Sequence, residues 1–293
     1  MPQPIASPTL RRREFGARLR ELRLERGLTI EQVAEHLMCS PSKVSRMETG
    51  QRGATPRDVR DLCDLYDVED PEQKDHLASL AREGKQQGWW QSHDLFGFSN
   101  FVGLEEAAES TRYYQGLVVP GLLQTADYAR AIHESTIPAF TPERVEELVQ
   151  VRLTRQQLLA REPPLRVWAV IDEAALRRGV GGPAVMAAQM EHLIAVNELP
   201  NVDIQVIAFE AGAHPGMDSC FRILEFGNSV PDVVYVEGLV GKIYVEKPQD
   251  IETYRQVFER LSSLALDPRD SMRLVTRVRE EYQRTSAQLI QNS

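Results

Sequence analysis

A five-residue segment near the start of the chain combines hydroxyl and cationic side chains. Its polar members are Ser42, Lys43, Ser45 and Arg46. Lysine and arginine can donate hydrogen bonds to guanine O6 and N7 in a major groove about 12 Å wide, and serine can bond to several acceptors. The same side chains can also reach phosphates. The segment therefore predicts contact with a nucleic acid, and the alternative is a small helical bundle with a charged surface.

Five short helices are predicted to position this segment. Apolar residues recur at helical spacing in five bursts between residues 15 and 81. Caps and breakers mark the boundaries: Gly27, Thr29 with Gln32, Ser40 with Pro41, Thr49 with Gly50, Thr55 with Pro56, and Asp70 with Pro71. Only Met38 and Cys39 connect the second and third helices, so these helices must cross steeply, as in a helix-turn-helix motif. Val44 and Met47 would face the core and leave the polar members outside.

The stretch GARLRELRLERGLTIEQVAEHLMCSPSKVSRMETGQRGATPRDVRDLCDLYDV carries a family resemblance. From residue 14 to about residue 68, the chain resembles the DNA-binding domain of Xre/Cro-type repressors. The resemblance implies base contacts by Ser42, Lys43 and Arg46, and phosphate contacts by Gln32 and Arg52. Further phosphate candidates are Ser40, Ser45 and Thr49. Met38 departs from the pattern, because the family often has glycine there and a left-handed backbone costs other residues about 1 to 2 kcal/mol.

Positive charge is concentrated in the same part of the chain. Residues 1–57 contain 11 Lys and Arg against 6 Asp and Glu, whereas the remaining residues contain 23 against 37. A basic head on an acidic body favours a nucleic-acid contact that is confined to the head. The alternative is a solvated surface with chance clustering.

Composition excludes several protein classes. With 42% hydrophobic and 26% charged residues in a chain of 293, wholesale disorder is excluded and about two domains are expected. The longest run without a charged residue has 14 residues, from Tyr113 to Ala126, which is too short for a membrane span. The three cysteines are widely spaced, which excludes a disulfide framework and a cysteine-rich zinc site. No secretory signal is expected at the N-terminus. A cytoplasmic protein without a membrane segment, metal or cofactor is expected.

Three other segments contain residue types that could carry chemistry. Residues 179–184 match G-x-G-x-x-A, but residues 173–178 separate them from the preceding strand, which favours a helix-initiating loop. His214 lies in a predicted turn, and the sequence nominates no nucleophile or carboxylate for it. Asp172 and Glu173 are more typical of a helix N-cap and first-turn charge than of an acid–base pair. We therefore expect no enzyme activity, and a DNA-tethered enzyme that uses residues 172–218 is the alternative.

The rest of the chain predicts helices followed by strands. Helical patterns cover residues 101–115, 121–135, 141–161, 183–199, 250–266 and about 267–291. Strand patterns cover residues 165–172, 202–209, 219–226, 232–237 and 242–246. The predicted fold is an all-α five-helix helix-turn-helix head over residues 1–85 and an α+β body with a mainly antiparallel sheet over residues 86–293.

The body carries a second resemblance. The matching pieces include GWW (88–90), LVVPGLLQTADYARAI (117–132), VWAVIDEAALRRGVGGPAVMAAQMEHL (167–193) and LPNVDIQVIAFEAGAHPGMDSCFRILEF (199–226). They resemble the C-terminal domain of unknown function that follows an Xre-type head in actinobacterial regulators, which include WhiJ-like and antitoxin-like proteins. The resemblance supplies no catalytic residues, and it implies a small protein partner encoded nearby.

An aromatic cluster follows the short polar link at residues 86–88. It consists of Trp89, Trp90, Phe96, Phe98 and Phe101. The two tryptophans are candidates for ligand or partner contact, and core packing is the alternative.

Taken together, these features predict a homodimeric, sequence-specific transcriptional regulator, such as a repressor, that binds a pseudo-palindromic operator in double-stranded DNA. Its body would dimerise and sense a ligand or a small protein partner. The alternative is an antitoxin-like protein that acts mainly by sequestering its partner.

Overall fold

The computed structural model describes residues 7–86, 88–92, 98–136, 139–227, 230–238 and 241–291. Phe96 lies outside these residues. The chain divides into two compact units. The first comprises Met1–Ala107 and Phe226–Pro231, and the second comprises Ala108–Glu225 and Asp232–Ser293.

The first unit is helical in its described residues. Its α-helices are α1 (Pro8–Glu25), α2 (Ile30–His36), α3 (Pro41–Glu48), α4 (Pro56–Leu65), α5 (Pro71–Glu83) and α6 (Ser99–Ala107). Helices α1 to α5 are the five that the apolar bursts predict. Their inward side chains form one core, whose largest members include Phe15, Met47, Leu62 and Tyr66. Burial of this shared apolar face stabilises helices that are too short to be stable alone.

The predicted caps determine where these helices begin. The side chains of Thr29, Ser40, Thr55 and Asp70 each accept a hydrogen bond from a backbone N–H in the first turn of the following helix. The capping box predicted for α2 is present, since Thr29 and Gln32 bond reciprocally. Each cap satisfies a backbone N–H that has no partner within its helix.

The first unit extends beyond the predicted division at residue 85. It includes α6, which lies against α1: a β-carbon on Gly103 would come within 2.3 Å of Thr9 Oγ1. It also includes Trp90, which is 2% exposed and lies against the same glycine. Trp90 and α6 therefore belong to the first compact unit.

The second unit contains a six-stranded sheet in the order β3-β2-β1-β4-β5-β6. The strands are β1 (Ser110–Gln115), β2 (Arg166–Asp172), β3 (Val202–Ile207), β4 (Phe221–Glu225), β5 (Val233–Glu237) and β6 (Lys242–Val245). Strands β1, β2 and β3 are parallel, and Tyr113 pairs with Ala169, which in turn pairs with Ile204. Strand β4 pairs antiparallel with β1 and β5, and β5 pairs antiparallel with β6.

The sheet is mixed, so the prediction of a mainly antiparallel sheet is wrong. The cause is β1, because the helix predicted over residues 101–115 ends at Ala107 and a strand follows it. Strand β1 lies inside the sheet, and its consecutive residues Tyr113 and Tyr114 are both buried. A strand that is covered on both faces loses the period-two alternation by which strands are recognised. Helical crossovers before β2 and β3 make these three strands parallel.

In its described residues, the second unit also contains six α-helices. They are α7 (Ala126–Glu134), α8 (Pro142–Gln156), α9 (Glu173–Arg177), α10 (Pro183–Val196), α11 (Pro248–Leu264) and α12 (Pro268–Gln291). On one face, Phe258 and Leu261 of α11 join a core with Tyr114, Val170 and Ile223 of the sheet. Among the described residues, no helix combines the length and apolar character needed to cross a membrane.

Candidate nucleic-acid interface

Helix α3 presents a polar face because its apolar residues are buried. Val44 is 1% exposed and Met47 is fully buried, so both fix the helix on the core of the first unit. Ser42 and Arg46 lie on the exposed side, and Arg46 Nε donates to the Ser42 carbonyl oxygen at 3.2 Å. Ser45 is half-buried. Two of the three predicted base-contacting residues, Ser42 and Arg46, are therefore open to a ligand.

The turn that sets the angle between α2 and α3 is strained at one residue. Met38 has φ +48°, the left-handed conformation that its place in the turn demands. The N–H of Cys39 donates to the Ala34 carbonyl oxygen at 2.9 Å, which closes the turn. Ala34 is 2% exposed and small, so the two helices can approach each other closely.

Lys43 has a partner inside the fold. Its Nζ lies 2.7 Å from Asp58 Oδ1, where Asp58 is the third residue of α4 and forms a capping box with Thr55. Burial alone would raise the pKa of Asp58, but the hydrogen bonds from Lys43 and Thr55 outweigh it and hold this pKa below its usual value. In this structure Lys43 therefore joins α3 to α4.

The predicted phosphate contacts differ in what they can still donate. Gln32 uses Oε1 to accept the Thr29 N–H at 2.8 Å, which leaves its Nε2 amide to donate outward. Arg52 is exposed just beyond α3. Ser40 is exposed and caps α3 through its hydroxyl oxygen. Thr49 donates its hydroxyl proton to the Ser45 carbonyl oxygen at 3.0 Å, so it has no proton for a phosphate.

A buried ion pair holds the end of α3, and sequence reasoning did not identify it. Arg23 of α1 bonds Glu48 through two atom pairs, Nε to Oε1 at 2.6 Å and Nη2 to Oε2 at 2.9 Å. Arg23 also donates to the Leu28 carbonyl oxygen before α2. The hydrogen bond to Glu48 raises the pKa of Arg23 against the effect of burial. The partners are 25 positions apart in the sequence, so no local pattern could reveal the pair.

The tryptophans proposed as ligand or partner contacts are part of the first unit. Trp90 is 2% exposed, and its ring lies against Gly88 and Gly103. Trp89 packs edge-on against Trp90 with ring centroids 6.0 Å apart, and its Nε1 donates to Glu106 at 3.0 Å. This arrangement favours core packing for Trp90.

In the second unit, the fold brings together His214 and Asp172, which are 42 positions apart in the sequence. His214 Nε2 lies 3.0 Å from Asp172 Oδ2. Asp172 caps α9 through its other oxygen, so the predicted N-cap is confirmed. The N–H of Gly216 donates to His214 Nδ1 at 3.2 Å, which places the ring proton on Nε2, facing the carboxylate. Both ring nitrogens of His214 thus form hydrogen bonds within the chain. This favours a structural role for His214, in which it holds its loop in place, over a role as a general base.

The remaining motif is a helix-initiating loop, as predicted. Gly181 and Gly182 have positive φ, and Pro183 is the first residue of α10. Pro183 has no N–H to offer a phosphate. Within the described part of the chain, no three His, Cys, Asp or Glu residues are grouped so that they could hold a metal ion.

Comparison with known families identifies both parts of the chain. Residues 14–77 match a helix-turn-helix domain. Residues 98–277 match a domain of unknown function, DUF5753. No curated protein and no solved structure matches the chain. The matches confirm the two resemblances as a helix-turn-helix head followed by a C-terminal domain of unknown function.

Proposed function

We propose that this chain, which belongs to the DUF5753 family and carries a helix-turn-helix domain, is a sequence-specific transcriptional regulator that reads DNA with α3. The observation that carries the proposal is the exposed pair Ser42 and Arg46 on a helix fixed by Val44 and Met47. Gln32 and Arg52 flank this pair in the sequence with groups that can donate to phosphates. Arg46 would read guanine, and the flanking residues would set the register on the backbone.

Methylation interference tests this proposal. Full-length protein first selects duplexes from a random library, and the selected duplex is then methylated sparsely at guanine N7 and sorted into bound and free fractions. Wild-type binding should be blocked by methylation at particular guanines, because α3 occupies the major groove there. Arg46→Ala should lose the interference at one guanine and keep the others. Interference that is unchanged by Arg46→Ala would remove this residue from the base-contacting set.

We also propose that the regulator acts as a homodimer on a pseudo-palindromic site. A single helix-turn-helix unit contacts few bases, and two units on half-sites about 10 base pairs apart read one face of the duplex. Selected duplexes should contain inverted half-sites, and light scattering of the full chain should give twice the monomer mass. A monomer that binds the inverted repeat with full affinity would contradict the dimer.

We propose that the second unit binds a ligand or a small protein partner and performs no turnover. A second candidate function is a DNA-tethered enzyme, and the Asp172–His214 pair is an observation that favours it. The two internal hydrogen bonds of His214 instead support a structural role for this pair. A hydrolytic or redox turnover that His214→Ala abolishes would establish the enzyme.

A further inference from the structure

A cavity of about 380 Å³ lies in the second unit, at the carboxyl ends of the three parallel strands. Gly116 and Leu117 follow β1, Asp172 ends β2, and Ala208 and Phe209 follow β3. Ligands of sheets with parallel strands bind beyond the carboxyl ends of those strands. The volume falls in the range of small-molecule pockets, roughly 300–1,000 Å³.

The cavity walls are held in place by contacts within the chain. His214 ties the loop before β4 to Asp172. Gly216 presses on the ring of Tyr114 so closely that an added β-carbon would come within 2.3 Å of it. At the end of the same loop, Cys220 Sγ accepts a hydrogen bond from the Gly116 N–H, with 3.2 Å between nitrogen and sulfur. A ligand would therefore meet a preformed site and would not have to order it.

One polar group in the wall has no partner. Tyr114 is 1% exposed and lines the cavity, yet its hydroxyl makes no hydrogen bond with any described residue. Burial, with the charge of Asp172 adding to it, raises the pKa of Tyr114, so the hydroxyl keeps its proton. The hydroxyl therefore has a proton to donate into the cavity, and an oxygen acceptor on a ligand could accept that hydrogen bond.

The mouth of the cavity is apolar and its charges are acidic. Leu117, Phe209 and Met217 line it and are 60%, 55% and 70% exposed, respectively. Grouped exposed apolar side chains mark binding surfaces. The charged residues lining it are Asp172 and Asp218, with no lysine or arginine among the described lining residues. An anionic ligand would be repelled, which disfavours nucleotides and other phosphates.

We propose that this cavity binds an uncharged small molecule that has an apolar body and a hydroxyl or carbonyl oxygen. The oxygen accepts a hydrogen bond from Tyr114, and the apolar body covers Leu117, Phe209 and Met217. This inference rests on the proposal that the second unit binds a ligand, and it does not depend on DNA binding, because every group it uses lies in the second unit.

The test uses two probes with the same carbon skeleton, 4-phenylbutan-1-ol and 4-phenylbutanoate. Each is titrated into the full chain without DNA, and binding is followed by ligand-observed NMR. The alcohol should bind saturably, and the carboxylate should bind at least tenfold more weakly, since Asp172 and Asp218 repel it. A failure here would leave the DNA-binding proposal intact, because no DNA is present.

Variants then locate the bound alcohol. Tyr114→Phe keeps the ring and should weaken binding about three- to tenfold through the loss of one hydrogen bond. Leu117→Ser changes an exposed side chain, which leaves the fold intact, and should also weaken binding. Tyr244→Phe on β6, at the far edge of the sheet, is the matched control and should bind as wild type does. The proposal is overturned if the alcohol does not saturate, if the carboxylate binds equally well, or if Tyr114→Phe and Leu117→Ser both bind as wild type does.

Discussion

Met38 adopts a positive φ although it carries a β-carbon, and its side chain is 80% exposed. The left-handed conformation costs a residue with a β-carbon about 1 to 2 kcal/mol, and glycine avoids this cost. Glycine has more conformational freedom in the unfolded chain, however, which offsets about 0.5 to 1 kcal/mol of that gain. Met38→Gly should therefore stabilise the protein by about 0.5 to 1 kcal/mol in urea unfolding. Met38→Ala keeps the strain and should change little. A destabilised Met38→Gly would show that the turn is not strained.

Arg23 and Glu48 make the buried ion pair of the first unit, and their side chains are 9% and 5% exposed. Glu48→Gln keeps the shape but leaves the Arg23 charge buried without a counter-charge. We expect a loss of about 3 to 5 kcal/mol in the free energy of unfolding. Glu21→Gln, which breaks the exposed Arg18–Glu21 pair, is the control and should cost less than about 1 kcal/mol. Equal effects of the two substitutions would show that the buried pair does not stabilise α3.

At the scale of elements, the Lys43–Asp58 ion pair joins α3 to α4 and should make the free energy of unfolding depend on pH. The pKa of Asp58 is lowered on folding, so its stabilising effect is complete above the unfolded pKa of about 3.9 and is lost as the pH falls through the folded value. Wild type should be more stable than Asp58→Asn at pH 6, and the difference should shrink below about pH 4. Urea unfolding at pH 6 and pH 3 measures it. A difference that is the same at both pH values would rule out this linkage.

The elements that could be predicted are those with local signals. Thr29 and Ser40 mark helix starts within three residues of the groups they cap, so the helices of the head follow from the sequence. Strand β1 could not be predicted, because its burial on both faces removes the alternation. The Lys43–Asp58 ion pair and the Asp172–His214 hydrogen bond join residues 15 and 42 positions apart, and only the folded chain brings them together. Exposed site residues on α3 were therefore accessible to prediction, whereas the contacts that hold them were not.

At the scale of the whole molecule, basic residues are concentrated at the start of a chain with net charge −9. Specific binding must therefore come from a few well-placed contacts on the first unit, because the acidic remainder repels phosphates. We assign Arg46 to a base contact and Arg52 to a contact with the phosphate backbone of the DNA. Removal of the base contact should reduce discrimination between DNA sequences, whereas removal of the phosphate contact should reduce affinity for all sequences.

The most direct measurement is the ratio of dissociation constants for a selected duplex and a scrambled duplex at one salt concentration. Arg46→Ala should reduce this discrimination by about 1 to 3 kcal/mol, whereas Arg52→Ala should weaken binding to both duplexes nearly equally and lower the salt slope by about one. Arg273→Ala, at an exposed position of α12, is the control and should match wild type. If Arg46→Ala discriminates between the duplexes as well as wild type does, α3 is not the element that reads the DNA sequence.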